Sequence, residues 1–394
     1  MTFEDSSVYI LSACRTPLGC FQGGLSSLSS ADLGAVVFKE AVKRAGIPAS
    51  DISEAFLGNV LQAGGRQNPC RQALINAGLP ESIVCSSINQ VCASGLKAIT
   101  LGAQSIMLGQ ADVVLAGGAE SMTNAPYLLP KARAGLRMGN AEIIDSMIND
   151  GLWDPFTNQH MGLNTETTAE EFSITREEQD NYSELSYNRA KSYWELEEHP
   201  EIVSVVPTAR GASDVSIDEQ YTKANFSKMR SLKPCFKKDG SITPANASAI
   251  ADGAAAVVLV SGKYAREHGL APIAKVVAFA DTARDPLHFT IAPTDASNLT
   301  LKRAGLEKSD VDLWEINEAF AAVVLANVKL LGLESLDSVN VSGGGISLGH
   351  PLGASGCVRS VALIHELKRT GKKRGLVTCC VGGGQAGACL FEVL

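Results

Sequence analysis

Residues 89–97 place Cys92 between an apolar segment (83–91) and a run with helical character (96–108) that begins with small residues. If that run is a helix, Cys92 lies at its N-terminus, where backbone N–H groups and the helix dipole favour a thiolate. The thiolate is the nucleophilic form of cysteine. Taken alone, the segment is equally consistent with an inert, buried cysteine.

Three further stretches carry side chains that could act together with such a thiol. His350 lies in a glycine-dense loop ahead of a helical pattern, which suggests a base held on a fixed backbone. Cys380 ends an apolar strand pattern and precedes three glycines, while Asn317 lies at a strand-to-helix junction. Each alone has an ordinary structural explanation, such as turn glycines, a core cysteine or a helix N-cap. Four together, on the loops of one α/β architecture, favour an active site.

The hydrophobic pattern around these stretches alternates between strands and helices. Predicted strands cover residues 8–13, 55–60, 112–118, 254–260, 273–278, 312–316 and 376–381. Predicted helices cover residues 32–45, 71–77, 96–108, 177–192, 296–304, 319–331 and 353–369. Continuous apolar strands that alternate with helices predict a mostly parallel sheet covered on both faces.

The two ends of the chain repeat one arrangement. Residues 93–95 precede a predicted helix and a strand ending in two glycines, and residues 354–356 precede a helix and a strand ending in three. This repetition predicts two similar α/β halves whose helix N-termini, near Cys92 and His350, face one central site. The predicted domains are an N-terminal half (1–120 plus 250–271), an inserted loop domain (121–249) and a C-terminal half (272–394).

Composition argues against several classes of function. With 34 basic and 42 acidic residues, the net charge of −8 disfavours general nucleic-acid binding. The ten cysteines form no CxxC pair and no His/Cys cluster has zinc-site spacing, so we expect no metal and reduced, intracellular thiols. The sequence lacks a signal-peptide pattern and an apolar run of membrane-spanning length, so we expect a cytoplasmic protein with no membrane partner.

One basic run interrupts this acidic chain. Residues 223–238 contain six basic side chains and no acidic one: Lys223, Lys228, Arg230, Lys233, Lys237 and Lys238. Such a run is usually a solvated face. The other interpretation is a phosphate-binding edge on an otherwise acidic protein.

The four chemical stretches together resemble the signature blocks of the thiolases. The blocks are Asn-x-Val-Cys-x-Ser-Gly, Asn-Glu-Ala-Phe, Gly-His-Pro-Leu-Gly-Ala-Ser-Gly and Cys-x-Gly-Gly-Gly. Supporting matches follow in family order at residues 58–64, 67–73, 117–122, 160–162 and 246–248. The resemblance covers the whole chain, and it implies the thiolase fold, with two similar α/β halves in a layered αβαβα arrangement and an inserted loop domain.

The resemblance implies a reversible Claisen condensation of two acetyl-CoA molecules to acetoacetyl-CoA and free CoA. Cys92 would attack the thioester and carry the acyl group, and His350 would accept the Cys92 proton. Cys380 would move the carbon-bound proton; it is preferred over Cys379 because the family's cysteine stands two residues before the first glycine of the triplet.

Two oxyanions need hydrogen-bond donors in this chemistry. The resemblance assigns the first to the backbone N–H groups of Cys92 and Gly382. It assigns the second to His350 together with a water held by Asn317. It implies no metal or redox cofactor.

The resemblance also implies residues that bind CoA along the inserted segment. Ser248 matches a serine that contacts the pantetheine arm, and Phe320 matches an aromatic side chain beside the thioester. His160 and Met161 would line the thioester pocket, where their bulk suits a short acyl group. The other predicted binding residues are Lys223, Phe236 and Ala247. Family members are dimers or tetramers, and we expect a homotetramer that uses a loop near residues 121–140.

The sequence departs from the family pattern near the expected substrate. Thr222 stands where arginine is usual, and residues 289–293 read Phe-Thr-Ile-Ala-Pro in place of Met-Gly-Ile-Gly-Pro. Smaller departures are Ala93, Ala249, Ala251 and Ser342. None removes a predicted catalytic residue, so they bear on substrate range.

Three alternative functions stay open at this level. The first is a degradative 3-ketoacyl-CoA thiolase that acts on longer chains. The second is a CoA-binding carrier without turnover, against which the presence of Cys92, His350 and Cys380 argues. The third is a nucleotide-binding protein that uses residues 343–345, although these glycines match neither common phosphate-binding pattern.

Overall fold

The structure, a computed structural model, describes residues 4–208, 211 and 213–394. The strands are β1 (Val8–Arg15), β2 (Gly19–Cys20), β3 (Glu54–Gly58), β4 (Val84–Ile88), β5 (Val113–Ser121), β6 (Tyr127–Leu128), β7 (Ile144–Asp145), β8 (Trp153–Asp154), β9 (Gln159–His160), β10 (Ala251–Ser261), β11 (Ala274–Ala283), β12 (Leu313–Ile316), β13 (Arg374–Val381) and β14 (Gln385–Val393). The α-helices are α1 (Ser30–Ala45), α2 (Pro69–Asn76), α3 (Ser94–Met107), α4 (Met161–Glu171), α5 (Arg176–Trp194), α6 (Phe226–Met229), α7 (Gly262–Glu267), α8 (Ala292–Ala304), α9 (Ala321–Leu331) and α10 (Ser355–Thr370). Within the described ranges, none of these helices combines the length and apolar character needed to cross a bilayer.

The central sheet is mixed. Its strands follow the order β12-β13-β14-β11-β1-β10-β5-β3-β4, with β2 attached to β10. Parallel pairs lie only near the two ends, between β12 and β13 and between β3 and its neighbours β4 and β5. The other pairs are antiparallel. The prediction of a mostly parallel sheet is therefore wrong.

The error has a local cause in the C-terminal half. Strand β14 was not predicted, and it pairs antiparallel with β13 from Val381 opposite Gln385 onward. The residues between them, Gly382–Gly384, supply the Gly382 N–H that the family resemblance assigns to an oxyanion. They also close a tight hairpin, in which Gly383 and Gly384 both have φ of 85°.

The two halves join along a narrow seam and stack in layers. Strand β1 of the N-terminal half pairs with β11 of the C-terminal half over three residues, Val8–Ile10 with Val276–Ala274. Helices α1 and α2 cover the outer face of the first half, and α8 and α9 cover that of the second. Helices α3 and α10 fill the layer between the halves. This is the predicted αβαβα arrangement.

Backbone contacts fix α3 and α10 against each other. A Cβ atom on Gly356 of α10 would lie 2.7 Å from the Cβ of Leu96 on α3. A Cβ atom on Gly118, near the end of β5, would lie 2.3 Å from the carbonyl oxygen of Gly353. Real Cβ atoms cannot approach so closely, so glycine is required at both positions. The loop before α10 is thereby held against the end of β5 and the start of α3.

The inserted segment runs between β5 and β10 and contains two short hairpins (β6 with β7, β8 with β9) and helices α4 to α6. Thr175 and Glu178 form a capping box that begins α5. A buried ion pair attaches the segment to β1: Arg15 donates two hydrogen bonds to Asp218, of 2.8 and 2.9 Å. Both side chains are almost fully enclosed, so the pair anchors the segment in one place.

Candidate active site

Cys92 lies in the turn between β4 and α3, two residues before the helix begins. Its side chain is partly buried and packs in a small apolar cluster with Val60 and Leu352. Burial raises the pKa of the thiol to about 12, although the backbone N–H groups of Cys92 and Gly382 contact the sulfur and oppose the rise. The free protein therefore holds a neutral thiol. The lowered pKa expected of a thiol at a helix start is not found, because burial is the largest influence on this group.

His350 is buried in the loop before α10, and its hydrogen bonds define its tautomer. The Ser355 hydroxyl donates to the Pro351 carbonyl (2.8 Å), so it must accept the 2.6 Å hydrogen bond from His350 Nδ1–H. Nε2 consequently carries the lone pair, and the Asn317 amide lies 3.5 Å from it. Burial, with a smaller contribution from Arg359, lowers the pKa of His350 to about 4. The ring is a neutral base whose Nε2 faces the site.

Cys380 lies next to the end of β13 and is almost fully buried. Burial raises the pKa of its thiol well above the ordinary value, and the neighbouring Cys92 raises it further. The Asn317 side chain makes a hydrogen bond with the Cys380 sulfur, which opposes the rise. Asn317 thus lies between His350 and Cys380, and one amide contacts both groups.

The two adjacent cysteines of β13 face opposite sides of the strand, as neighbours in a strand must. Cys379 is part of the central core between the two halves. Cys380 instead packs with Met161, Phe289 and Phe320. Of the pair, it is therefore Cys380 that lies on the side of the site.

A cavity of about 410 Å³ leads from the surface to His350. It continues into a narrow chamber of about 50 Å³ that is bordered by Cys92, His350 and Gly382. Met161 and Phe289 close the chamber on the side of the inserted segment and α8. The arrangement offers one long passage that ends at a thiol, a neutral imidazole and a backbone N–H.

Each residue predicted to bind CoA lies along this passage. The cavity is lined by six of the seven: Lys223, Phe236, Ala247, Ser248, His160 and Phe320. The seventh, Met161, lines the chamber. The His160 ring stacks on Phe236 with centroids 4.6 Å apart, and Phe236 meets Phe320 edge-on at 6.3 Å. These three rings form one apolar wall.

The basic run at 223–238 does not act as one surface. Lys223 lines the cavity, whereas Arg230 pairs with Glu184 at 2.7 Å and Lys237 pairs with Glu170. Thr222, which replaces the usual arginine, donates its hydroxyl to the Glu219 carbonyl of its own turn (2.7 Å). The run therefore combines one cationic side chain at the passage with two that form ion pairs away from it.

Two other departures from the family pattern have clear positions. Phe289 is buried and borders the chamber directly, so it shapes the space for the acyl group. Ala93 is fully buried, and its methyl group lies 3.7 Å from where a Cβ on Gly387 would be, on the C-terminal sheet. The Ala93 side chain therefore packs into the central layer.

Sequence reasoning missed a buried carboxylate that connects the loops of the site. Glu120, at the end of β5, accepts hydrogen bonds from the N–H groups of Val60 (3.0 Å), Leu61 (3.1 Å) and Gly353 (2.8 Å). The Asn59 amide donates a fourth, at 2.7 Å. Burial raises the pKa of Glu120 to about 7. Its motif, residues 117–122, had been noted, but nothing in the local sequence showed which loops the carboxylate would reach.

Ser355 was missed in the same way. It stands inside the Gly-His-Pro block, and only the folded loop shows that its hydroxyl accepts from His350 Nδ1.

No group of three or more His, Cys, Asp or Glu side chains with metal-binding geometry occurs in the part of the chain that the structure describes.

The chain matches the thiolase N-terminal domain over residues 8–263 and the thiolase C-terminal domain over residues 270–393. It belongs to the thiolase family. It is 47% identical to a cytosolic acetyl-CoA acetyltransferase of Gibberella zeae, with 98% of each chain covered. It is 46% identical to the mitochondrial acetyl-CoA acetyltransferase of Bos taurus, over 99% of this chain and 92% of that one.

A solved structure shows the same fold. The Acat5 thiolase from Ascaris suum, determined in complex with coenzyme A, superposes with a TM-score of 0.94 at 44% identity, over 98% of this chain and 100% of that chain. The predicted family, fold and acyltransferase class are confirmed. The predicted domain boundaries and the roles of individual site residues stay predictions.

Proposed function

We propose that this protein is an acetyl-CoA C-acetyltransferase that condenses two acetyl-CoA molecules reversibly to acetoacetyl-CoA and free CoA through an acyl-Cys92 intermediate. The observation that carries the proposal is that Cys92 and His350 border the inner chamber, while Asn317 contacts His350 and Cys380 packs behind the chamber wall of Met161, Phe289 and Phe320. The relatives named above, which are acetyl-CoA acetyltransferases over nearly their full length, support the same activity.

In the first half-reaction, His350 Nε2 takes the proton of the Cys92 thiol as the sulfur attacks the thioester carbonyl. Because the pKa of Cys92 is about 12 and that of His350 is about 4, a stable thiolate–imidazolium pair is not expected before substrate binds. Proton transfer therefore accompanies attack. The N–H groups of Cys92 and Gly382, already at the sulfur, receive the developing oxyanion, and CoA leaves with the proton.

In the second half-reaction, Cys380 gives its thiol proton to the neutral His350, and the resulting Cys380 thiolate removes a proton from the methyl group of a new acetyl-CoA. Asn317 contacts both Cys380 and His350, so it lies between this thiolate and the protonated Nε2 of His350, which donates a hydrogen bond to the enolate oxygen. The enolate carbon attacks the acyl carbonyl, the Cys92–carbon bond breaks as Cys92 takes the proton from His350, and acetoacetyl-CoA departs. Each proton removed is returned in the reverse direction, thiolysis. These steps need no metal or redox cofactor.

The substrates CoA, acetyl-CoA and acetoacetyl-CoA fit the shape and polarity of the passage. The pantetheine arm would lie between Ser248 and the wall of His160, Phe236 and Phe320, with Ala247 beside it. Lys223 would meet a nucleotide phosphate. A chamber of about 50 Å³, closed by Met161 and Phe289, favours a two-carbon acyl group.

The experiment is an intact-mass measurement of the protein after a brief exposure to acetyl-CoA. We expect an added acetyl group on Cys92 in the wild type and none in Cys92→Ala. Retention of most thiolysis activity in Cys92→Ser would overturn the assignment of the nucleophile. A degradative thiolase for longer chains would show a higher kcat/KM for a long 3-ketoacyl-CoA than for acetoacetyl-CoA, and the small chamber predicts the opposite order.

We further infer a cytoplasmic homotetramer. Large apolar side chains of the inserted segment point into solvent, with Met138 98% exposed and Tyr127 68% exposed. At the end of the sheet, β4 leaves one edge without a neighbouring strand and Val84 is 65% exposed. Such surfaces favour contacts between copies of the chain. Light scattering of the wild type and of Met138→Asp tests this, and a wild-type monomer would contradict it.

A further inference from the structure

The residue before the nucleophile has an unusual backbone. Val91 has φ of 45°, in the left-handed region that side chains branched at Cβ strongly disfavour. In the described part of the chain, the non-glycine residues with positive φ are Gln22, Arg66, Asn68, Val91, Lys131, Asn158, Ser173 and Asn340. Val91 alone among them is β-branched. Strained backbone of this kind persists only where surrounding contacts hold it in place.

Side chains on both sides of the turn supply those contacts. The Val91 N–H donates to Asn89 Oδ1 at 2.9 Å. The Ser94 hydroxyl donates to the Val91 carbonyl at 2.6 Å and accepts from the Gln90 N–H at 2.9 Å. The Ser94 N–H donates to the same carbonyl at 3.1 Å. The turn is thus fixed before and after Val91 by hydrogen bonds that leave the Cys92 N–H for the sulfur.

The Val91 side chain provides the other half of the restraint. It packs against the central core and borders the chamber beside Cys92. Its Cγ1 atom lies 3.8 Å from where a Cβ on Gly382 would be. Val91 therefore stands between the Cys92 turn and the Gly382 backbone, which comes from the other half of the molecule.

We propose that Val91 is a positioning residue, whose left-handed backbone and isopropyl group together hold the Cys92 sulfur and the Cys92 N–H beside the Gly382 N–H. The proposal deepens the function proposed above and rests on it for its catalytic consequence. A glycine would adopt the same φ without strain and would also leave it freely. The valine adopts it only while packed and hydrogen-bonded, so the turn has one geometry.

The direct test is Val91→Gly. Relief of the strain and loss of the packed isopropyl group oppose each other, so the thermal midpoint should change little, with a gain of at most about 2 °C. The rate of Cys92 acylation by acetyl-CoA should fall about tenfold or more, because the sulfur is no longer held in line. KM for CoA in thiolysis should stay the same. An acylation rate within twofold of wild type would overturn the proposal, as would a rise in KM for CoA that matches the loss of rate.

Ser173→Gly is the matched control. Ser173 also has positive φ (50°), but it lies beyond the C-terminal end of α4, twelve residues from Met161. We expect the same or a larger gain in thermal midpoint and no change in acylation. Val91→Ala keeps a Cβ at the strained position and removes the methyl groups near Gly382. It should lower the thermal midpoint and slow acylation less than Val91→Gly does; a greater loss than in Val91→Gly would contradict the role assigned to the backbone.

A second measurement separates this proposal from the proposed function. The second measurement is the rate at which iodoacetamide alkylates Cys92 at pH 8, followed by mass spectrometry. It needs no CoA ester. Because the N–H groups of Cys92 and Gly382 lower the pKa of the thiol, their misalignment in Val91→Gly should slow alkylation several-fold. Slower alkylation in a protein that acetyl-CoA does not acylate would support the positioning role and refute the acyltransferase. Equal or faster alkylation would refute the positioning role whatever the activity.

Discussion

At the Cys92 turn, a valine takes φ of 45°, whereas the loop before α10 makes its left-handed turns with Gly343 (83°) and Gly349 (120°). Side-chain hydrogen bonds and packing hold the first turn. The second needs no such support, because glycine adopts positive φ without strain. The nucleophile is on the strained turn. The base is on the relaxed loop, and Ser355 sets its orientation. The comparison suggests that strain is used where one atom must be aimed.

The largest expected effect tests whether Cys92 carries the acyl group while Cys380 moves the carbon-bound proton. Cys380→Ala should lower the condensation rate by about a thousandfold, since a general acid/base is lost. Acylation of Cys92 should continue, because that step uses His350. Stopped-flow measurement of acylation and steady-state measurement of condensation distinguish the two steps.

Its matched control is Cys379→Ala. This neighbour lies in the central core on the other face of β13, so its loss should cost about 1 kcal/mol of stability and little activity. If Cys379→Ala removed condensation and Cys380→Ala did not, the assignment of the two faces would be reversed.

The second test concerns the pH dependence of stability that the buried base imposes. The pKa of His350 is lowered from 6.5 to about 4, so the folded state binds fewer protons than the unfolded state between these values. Stability from this group is complete above pH 6.5 and is lost as the pH falls to 4, by up to about 3 kcal/mol. His350→Gln should lack this loss in urea unfolding.

Glu120 provides a control of opposite sign. Its pKa is raised to about 7, so its folded state holds the proton more tightly and its contribution grows as the pH falls from 7 to 4.5. Glu120→Gln should therefore steepen the net loss of stability on the acid side. If plots of unfolding free energy against pH ran parallel for the wild type and both variants, burial would not shift the pKa values of His350 and Glu120.

A third test addresses how the relaxed loop orients its base. Ser355→Ala removes the acceptor of His350 Nδ1–H, so kcat should fall about ten- to a hundredfold with little change in KM for CoA. Ser360→Ala is matched: Ser360 is also buried on α10 and donates to the carbonyl four residues earlier (2.8 Å), as Ser355 does, but is not bonded to His350. Equal kcat in the two variants would show that the hydroxyl does not orient the ring.

The smallest effect comes from introducing strain where there is none. A Cβ on Gly349 would lie 2.5 Å from the Cβ of Ala251, in a backbone conformation unsuited to other residues. Gly109 also has positive φ, but a Cβ there would meet nothing within 4 Å. We expect Gly109→Ala to cost about 1 kcal/mol and Gly349→Ala to cost about 1–2 kcal/mol more. Equal costs in urea unfolding would mean that the loop can move to accept a side chain.

Much of this architecture could be predicted from the sequence, because helix starts and glycine clusters are local features. It predicted α3 and α10, with Cys92 and His350 just before them, and the order of the site blocks. It did not predict β14, since the glycines before it matched a loop equally well. It also misjudged the ionisation of Cys92, because a thiol's pKa depends on which residues surround it in the fold. The contacts of Glu120 and Ser355 were hidden for the same reason.

The glycine contacts between α3 and α10 have a mechanical consequence. Side chains can change rotamer and cores can be repacked, but two backbones in contact have a separation set by atomic radii alone. At Gly356, which lies against Leu96, and at Gly118, which lies against Gly353, no adjustable spacer separates the elements that carry Cys92 and His350. The distance between the nucleophile and the base is therefore fixed by these backbone contacts. Substitutions elsewhere in the core can alter the stability of the assembly without changing that distance.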